Sequence, residues 1–214
     1  MGAWVVGWGL GVSVAAPIGP VNVATIRLGL GRGFAPACAF GLGAATIDAL
    51  YCFAVYLGIA PLLVAAPWLR IVLYVTGALM LARMGWGALR SRIALASDAG
   101  RRPADAWRSY LAGVSLTAVN PATILSWLAI GGAALSVVPP GEGLALVIGI
   151  FSGSACWFTL LSAGASAGRR LANERTLKGV SVVCGLALLG FAAVFTWAAL
   201  TESLTLAAFL YDVP

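Results

Sequence analysis

The sequence Asn22-Val-Ala-Thr-Ile26 recurs as Asn120-Pro-Ala-Thr-Ile124, with four of the five positions identical. Each copy lies in a long apolar stretch beside a helix breaker: Pro17-Ile-Gly-Pro20 precedes the first copy, and Pro121 lies inside the second. The bilayer interior offers no hydrogen-bond partner for the N–H and C=O groups that a break exposes. Broken helices are therefore tolerated in membranes only where they face protein or a watery cavity. The twinned breaks are typical of a membrane transporter.

The composition supports the same class of protein. The 214 residues are 61% hydrophobic and only 9% charged, and the mean hydropathy is +0.99, whereas a soluble domain carries about 25% charged residues. So little charge cannot cover a water-facing surface, which predicts an integral membrane protein. The excess of Lys and Arg (13) over Asp and Glu (7) falls in short segments between apolar stretches, as membrane insertion requires. Nucleic acid is therefore not an expected partner.

Six segments are long and apolar enough to span the bilayer as helices. The sequence thus predicts an all-α membrane protein with six transmembrane helices. The first segment begins without a basic region and continues past Pro17, so we interpret it as a retained span and not as a signal peptide. The predicted spans cover residues of about 4–26, 34–59, 68–89, 109–136, 144–167 and 179–200.

The distribution of basic residues predicts the orientation. Two lie in the first predicted loop, five in the third and four in the fifth, eleven of the 13 together. The positive-inside rule then places these three loops in the cytoplasm and both termini outside. We expect a multi-pass membrane protein with this orientation.

Three spans per half is an odd number, so the second half enters the membrane inverted relative to the first. Gly41 and Gly149, and likewise Gly77 and Gly185, correspond at a spacing of 108 residues. We therefore predict two inverted three-helix repeats, 1–90 and 109–214, joined by a basic cytoplasmic linker at 91–108, with spans one and four broken.

The two breaks are the predicted substrate site. Pro20 and Pro121 suit the first position of a half-helix, and Asn120 suits the N-cap before Pro121. Such a helix start presents unpaired N–H groups and a partial positive charge, which favour an anionic group such as a carboxylate. The alternative is that the prolines only kink two ordinary helices. Four hydroxyl side chains lie close to the breaks and favour a polar cavity: Thr25, Thr117, Thr123 and Ser126. We include Thr25, Thr123 and Ser126 in the predicted substrate site.

Asp48 is the only carboxylate inside any predicted span. Because a charge at the bilayer centre costs about 2.5–3.5 kcal/mol on insertion scales, Asp48 must face the interior, have a partner or be protonated. One interpretation is a structural Asp tied to the backbone or to Arg83. The other is that Asp48 binds the substrate ammonium or a coupling proton.

Other features of the spans leave alternatives open. Trp127 and Trp157 lie in mid-span, where packed or lipid-facing positions are the default and cavity lining is the alternative. The glycine pairs Gly7-x-x-x-Gly11 and Gly149-x-x-x-Gly153 allow close helix contact, either within the chain or in a homodimer. The four cysteines lie in apolar spans without a paired motif and are interpreted as small hydrophobic residues.

At these motifs the chain resembles the LysE/RhtB family of amino-acid exporters. The resemblance rests on Pro17-Ile-Gly-Pro-Val-Asn22, Gly41-Leu-Gly-Ala-Ala-Thr-Ile-Asp48 and Asn120-Pro-Ala-Thr-Ile124, and covers nearly the whole length. It implies ion-driven export of amino acids or related small metabolites across the bacterial inner membrane. It also implies that the family's motif positions are Pro17, Gly19, Pro20, Asn22, Asp48, Asn120 and Pro121.

One position departs from part of this family. Exporters of basic amino acids that resemble this chain carry an acidic residue where Ser126 stands here, so we expect a neutral amino acid as substrate. A divalent-cation exporter is the alternative, but it needs carboxylate, thiolate or imidazole ligands, and the chain has no histidine. A thiol carrier would need cysteines in the broken spans, which contain none. We expect no cofactor, no metal site and no enzymatic activity, with the amino acid and the lipid bilayer as partners.

Overall fold

The structure is a computed structural model that describes residues 2–17, 19–58, 67–90, 103–120, 123–124, 126–127, 141–171 and 174–211. Across these ranges the regular structure is helical, as expected for an all-α membrane protein. The longer helices are α1 (Ala3–Ala15), α2 (Pro20–Arg32), α3 (Phe34–Tyr56), α4 (Pro67–Arg90), α5 (Pro103–Ala118), α6 (Gly143–Leu171) and α7 (Glu174–Tyr211).

Four of these helices, α3, α4, α6 and α7, are long and apolar enough to cross a membrane. The helices α1 and α2 together form a fifth candidate span, bent by 79°, and the bend lies where the sequence predicts a break, between Ala15 and Pro20. The predicted fourth span, 109–136, lies partly outside the described residues. Its described part contains the end of α5 and helical residues at 123–124 and 126–127. The six-span arrangement therefore stays a prediction.

Several helix ends differ from the sequence prediction. Arg27 and Arg32, predicted in a loop, lie within α2, and only Gly33 separates α2 from α3. This glycine has a φ of 92°, a left-handed conformation that favours glycine because it has no Cβ. Helix α5 already begins at Pro103, inside the predicted linker 91–108. Helix α7 has 38 residues, or about 57 Å of helix, and so extends well beyond the predicted span 179–200.

Glycines bring α1 and α6 into backbone contact. A Cβ at Gly7 would lie 2.3 Å from the carbonyl oxygen of Leu146, and a Cβ at Gly149 would lie 2.3 Å from that of Trp4. Gly11 meets residues further along α6, so the two helices run in the same direction. The glycine motifs that the sequence left open between internal packing and dimerisation thus serve a contact within the chain.

Two further helix pairs also pack closely through glycines. The helices α3 and α5 also run in the same direction through Gly43 and Gly113, whose missing side chains admit the neighbouring backbone. Helix α4 packs against α7 in the opposite direction, with Gly85 close to Gly185 and Gly77 close to Phe195. Each of these three pairs joins a helix of the first half to a helix of the second half. Two parallel pairs and one antiparallel pair are the pattern that a twofold relation between the halves would produce.

Helix α6 offers a test of the backbone contact. Gly149→Ala should lower the melting temperature of the purified protein, because the new Cβ would lie 2.3 Å from a backbone oxygen of α1 and force the helices apart. Gly164→Ala on the same helix is the matched control, because nothing lies within 4 Å of its added Cβ. Alanine is favoured over glycine in helices by up to about 1 kcal/mol, so the control should be neutral or stabilised. Equal melting temperatures in thermal unfolding would contradict this packing.

Candidate functional site

A cavity of about 370 Å³ lies where α1 and α2 meet α3, α6 and α7. Its size falls in the range of sites for small molecules, roughly 300–1,000 Å³. Residues from both predicted breaks line it, so the structure brings together two sequence segments about a hundred positions apart. Eight of the ten predicted site residues line this cavity: Pro17, Gly19, Pro20, Asn22, Asp48, Asn120, Thr123 and Ser126.

The other two predicted site residues are Pro121 and Thr25. Pro121 lies outside the described residues. Thr25 is fully buried and does not line the cavity; its hydroxyl donates to the carbonyl oxygen of Val21 at 2.9 Å. This bond to the preceding turn is the usual state of a threonine in a membrane helix.

Asn22 holds the first break together. Its side-chain amide donates to the carbonyl oxygens of Ala15 at 2.8 Å and Pro17 at 2.6 Å, which the end of α1 leaves without helical partners. Its own oxygen accepts from the indole nitrogen of Trp157 at 3.2 Å. Both amide hydrogens are therefore used within the protein. Although Asn22 lines the cavity, its main contacts stabilise the break.

The second break has a comparable arrangement. The hydroxyl of Tyr51 on α3 donates to the carbonyl oxygen of Ala118, the last residue of α5, at 2.6 Å. The carbonyl oxygen of Asn120 accepts from the backbone N–H groups of Thr123 at 3.1 Å and Ile124 at 3.2 Å. The chain thus leaves one helix and starts another turn at Asn120, whose side chain is buried beside the cavity.

Asp48 is buried in the cavity wall and is held by two donors. Its Oδ1 accepts from Trp127 Nε1 at 3.1 Å, and its Oδ2 lies 3.0 Å from the hydroxyl of Ser154. Arg83, the partner considered from the sequence, is exposed on α4. Asp48 is the only acidic residue among the described residues that line the cavity, so it provides the cavity's negative charge when it is ionised.

Ser154 links three helices. Its hydroxyl lies 3.0 Å from Asp48 Oδ2 on α3 and 3.1 Å from the carbonyl oxygen of Gly11 on α1. A hydroxyl has a single hydrogen, so Ser154 can donate to only one of these acceptors at a time. The bond that forms therefore depends on whether Asp48 carries a proton.

Thr117 on α5 adds a free hydroxyl to the cavity. The residue is 2% exposed and lines the cavity, and its Oγ1 has no hydrogen-bond partner among the described residues. Leaving a buried hydroxyl unpaired costs free energy, so a polar ligand in this cavity would gain by bonding to it.

Sequence reasoning missed several of these contacts. Trp127 and Trp157 were expected to be packed or lipid-facing by default, yet each donates to a predicted site residue. Ser154 was not singled out, because one serine in an apolar span resembles many others. Its pairing with Asp48, 106 positions away, leaves no local signal in the sequence. Within the described residues, no group of three or more His, Cys, Asp or Glu side chains could hold a metal ion.

The chain is similar to several known proteins, although not to any of known structure. No solved structure matches the chain. It is 32% identical over 200 residues to "Putative amino acid efflux protein YcgF" of Bacillus subtilis, which covers 91% of this chain and 95% of that protein. It is 31% identical over 183 residues to "Chemotactic transduction protein ChpE" of Pseudomonas aeruginosa, covering 82% and 88%.

A third relative is "Arginine exporter protein ArgO" of Serratia proteamaculans, 26% identical over 196 residues that cover 89% of this chain and 94% of that protein. The family model described as LysE type translocator matches residues 12–198. This range contains both breaks, Asp48 and every described residue that lines the cavity. The chain therefore belongs to the LysE type translocator family.

Proposed function

We propose that this chain is a secondary transporter that exports neutral amino acids, or similar small zwitterionic metabolites, across a bacterial inner membrane. Family membership and two relatives named for amino acid efflux and arginine export support a transporter of this class. The observation that carries the proposal is the buried carboxylate of Asp48 in a cavity lined by both helix breaks. The described lining residues offer one negative charge and several neutral polar groups, which suits a zwitterion.

The two ends of the substrate have distinct partners in this proposal. The substrate ammonium pairs with Asp48. Its carboxylate bonds to the hydroxyl of Thr117 and to the first N–H groups of α2, which have no partner within their helix. Val21 and Asn22, the second and third residues of α2, line the cavity and support this placement.

Ser126 lies where exporters of basic amino acids carry an acid, and it lines the cavity as an uncharged residue. A dibasic substrate would bring a second cation with no second carboxylate among the described lining residues. This chemistry favours a neutral amino acid over arginine. A divalent cation, the alternative substrate, would find one carboxylate and no thiolate or imidazole among the described lining residues. Such ligands are the ones that it needs, so the lining also disfavours this alternative.

A proton on Asp48 couples transport to an ion gradient in this proposal. With Asp48 ionised, Ser154 donates to Oδ2, and the carbonyl of Gly11 lacks that bond. With Oδ2 protonated, Asp48 donates to the oxygen of Ser154, whose hydrogen then bonds to Gly11. Protonation thus keeps the contact between α6 and α3, with its donor and acceptor reversed, and adds one between α6 and α1. The substrate ammonium takes the proton's place at Asp48 in the loaded state.

The architecture proposed for this function is two inverted three-helix repeats with both termini outside. The directions of the helix pairs support it. So does the position of the charges, because Arg32 ends α2 and the guanidinium of Arg169 on α6 reaches Gly33 beside it. A homodimer remains compatible with this arrangement.

Cysteine labelling tests the orientation. A single cysteine at position 100 should react only with reagent that reaches the cytoplasm, and one at position 140 should react from outside intact cells. Each position belongs to a predicted loop whose charge predicts its side under the positive-inside rule. Labelling with the sides reversed would overturn the proposed topology.

Transport against pH tests the role of Asp48. Asp48→Asn keeps the size and much of the hydrogen bonding of the side chain but cannot ionise, so the variant should fold and insert while gradient-driven flux in proteoliposomes is lost. Asp105→Asn, on the first turn of α5 outside the cavity, is the matched control and should behave as the parent protein. Matching curves of flux against pH for Asp48→Asn and the parent would refute proton coupling at this residue.

Thr117 gives a second test with a control of the same residue type. Thr117→Val keeps the shape but removes a hydroxyl that has no partner among the described residues, so the melting temperature should not fall. Loss of its bond to the substrate should raise KM by roughly tenfold, the equivalent of about 1.4 kcal/mol. Thr25→Val, whose side chain does not line the cavity, should leave KM unchanged. An unchanged KM in Thr117→Val would remove Thr117 from the substrate site.

A further inference from the structure

A second pocket lies at the end of the bundle that carries the basic residues. It has a volume of about 150 Å³ and is bounded by α2, α3, α4, α5 and α7. Arg27 and Arg32 of α2 and Arg108 of α5 line it, together with Ser109 and several apolar residues. None of the described residues that line it is acidic.

Three guanidinium groups around one small pocket repel each other, and the repulsion is strongest where water is excluded. Arg27 is half-buried, while Arg32 and Arg108 are more exposed. The guanidinium of Arg169 also approaches this corner, 3.4 Å from the position of a Cβ at Gly33. The positive-inside rule explains why arginines occur at this end, but it does not explain why three of them line one pocket.

The arginine side chain matches oxyanions in geometry as well as charge. Its planar fork of N–H donors fits both oxygens of a carboxylate or two oxygens of a phosphate. All three side chains would attract an anion in this pocket, and the exposed guanidinium groups of Arg32 and Arg108 could both bond to it. A pocket of this size accommodates a carboxylate group with a few neighbouring atoms.

The position of the pocket relates it to the central cavity. Ala24 lines the pocket, and Pro20, four residues earlier on the same face of α2, lines the central cavity. Four residues of helix correspond to about 6 Å along the axis. The two sites therefore follow one another along α2, about one turn apart.

We propose that this pocket is an oxyanion site that captures the carboxylate of the amino acid on its way from the cytoplasm to Asp48. The identity of the ligand rests on the proposed function, whereas the binding of a carboxylate does not. The cationic pocket supplies the affinity for the carboxylate end, and the central cavity then takes the ammonium. The phosphate of an anionic lipid shares this chemistry and is the competing source of the anion.

Acetate is the probe for the site itself. The full chain is placed in nanodiscs of phosphatidylcholine, and its melting temperature is measured in acetate and in chloride at equal ionic strength. Acetate should raise the melting temperature of the parent protein and of Arg83→Gln, whose exposed arginine on α4 does not line the pocket. The acetate effect should be absent in Arg108→Gln. Because Arg108 is exposed, we expect this variant to fold. An equal acetate effect in all three proteins would overturn the site.

Transport separates the capture role from simple anion binding. With L-leucine presented from the cytoplasmic side of oriented vesicles, Arg108→Gln should raise KM roughly tenfold with little change in kcat. Isopentylamine lacks the carboxylate, so its inhibition constant against leucine transport should be the same in Arg108→Gln and the parent. An unchanged KM for leucine would overturn the capture role.

Two further outcomes distinguish the sources of the anion. If leucine is not transported at all, the proposed function fails for this substrate, while the acetate experiment still decides whether the pocket binds carboxylates. If phosphatidylglycerol, but not acetate, raises the melting temperature through Arg108, the pocket belongs to a lipid phosphate and the proposal is overturned.

Discussion

The bilayer offers no water to backbone polar groups, and this constraint governs the break between α1 and α2. The carbonyl groups of Ala15 and Pro17 lose their helical partners there, and the amide of Asn22 supplies new ones. Trp157 in turn holds the Asn22 amide from α6. The break is thus stabilised by the protein's own side chains, and Tyr51 does the same for the end of α5. The proposed function assigns the N–H groups of Val21 and Asn22, at the start of α2, to the substrate carboxylate.

The sequence could predict the features whose chemistry is local. Proline and glycine identify the first break, and Asp48 stands out because a carboxylate in an apolar span needs an explanation. The partners of Asp48 could not be predicted, since Trp127 is 79 positions away and Ser154 is 106 positions away. Helix ends were also misjudged where charge was used as a loop signal. Arginine is a good helix former, so α2 continues through Arg27 to Arg32.

The partner of each Gly-x-x-x-Gly pair could not be predicted from the sequence for a related reason. A Gly-x-x-x-Gly pair shows that a helix has a smooth face, but the partner of that face is a tertiary property. In the structure Gly7 and Gly11 meet α6, and Gly149 and Gly153 meet α1. The pairs fit each other, so the close approach of α1 and α6 is encoded on both helices. A single pair could equally have served another copy of the chain.

In the proposed mechanism, the close contact of α1 and α6 links the protonation of Asp48 to the break. Gly11 lets the α6 backbone approach at Ile150 and Ser154, and its carbonyl is the alternative acceptor for the Ser154 hydroxyl. Gly11 lies one turn before Ala15, whose carbonyl accepts from Asn22. A change in the bond at Gly11 therefore acts on the last turn of α1, next to the cavity wall. We infer that the glycines do more than allow tight packing. A bulkier residue at position 11 would separate Ser154 from α1, leaving its hydroxyl with Asp48 in either protonation state and uncoupling the carboxylate from the broken helix.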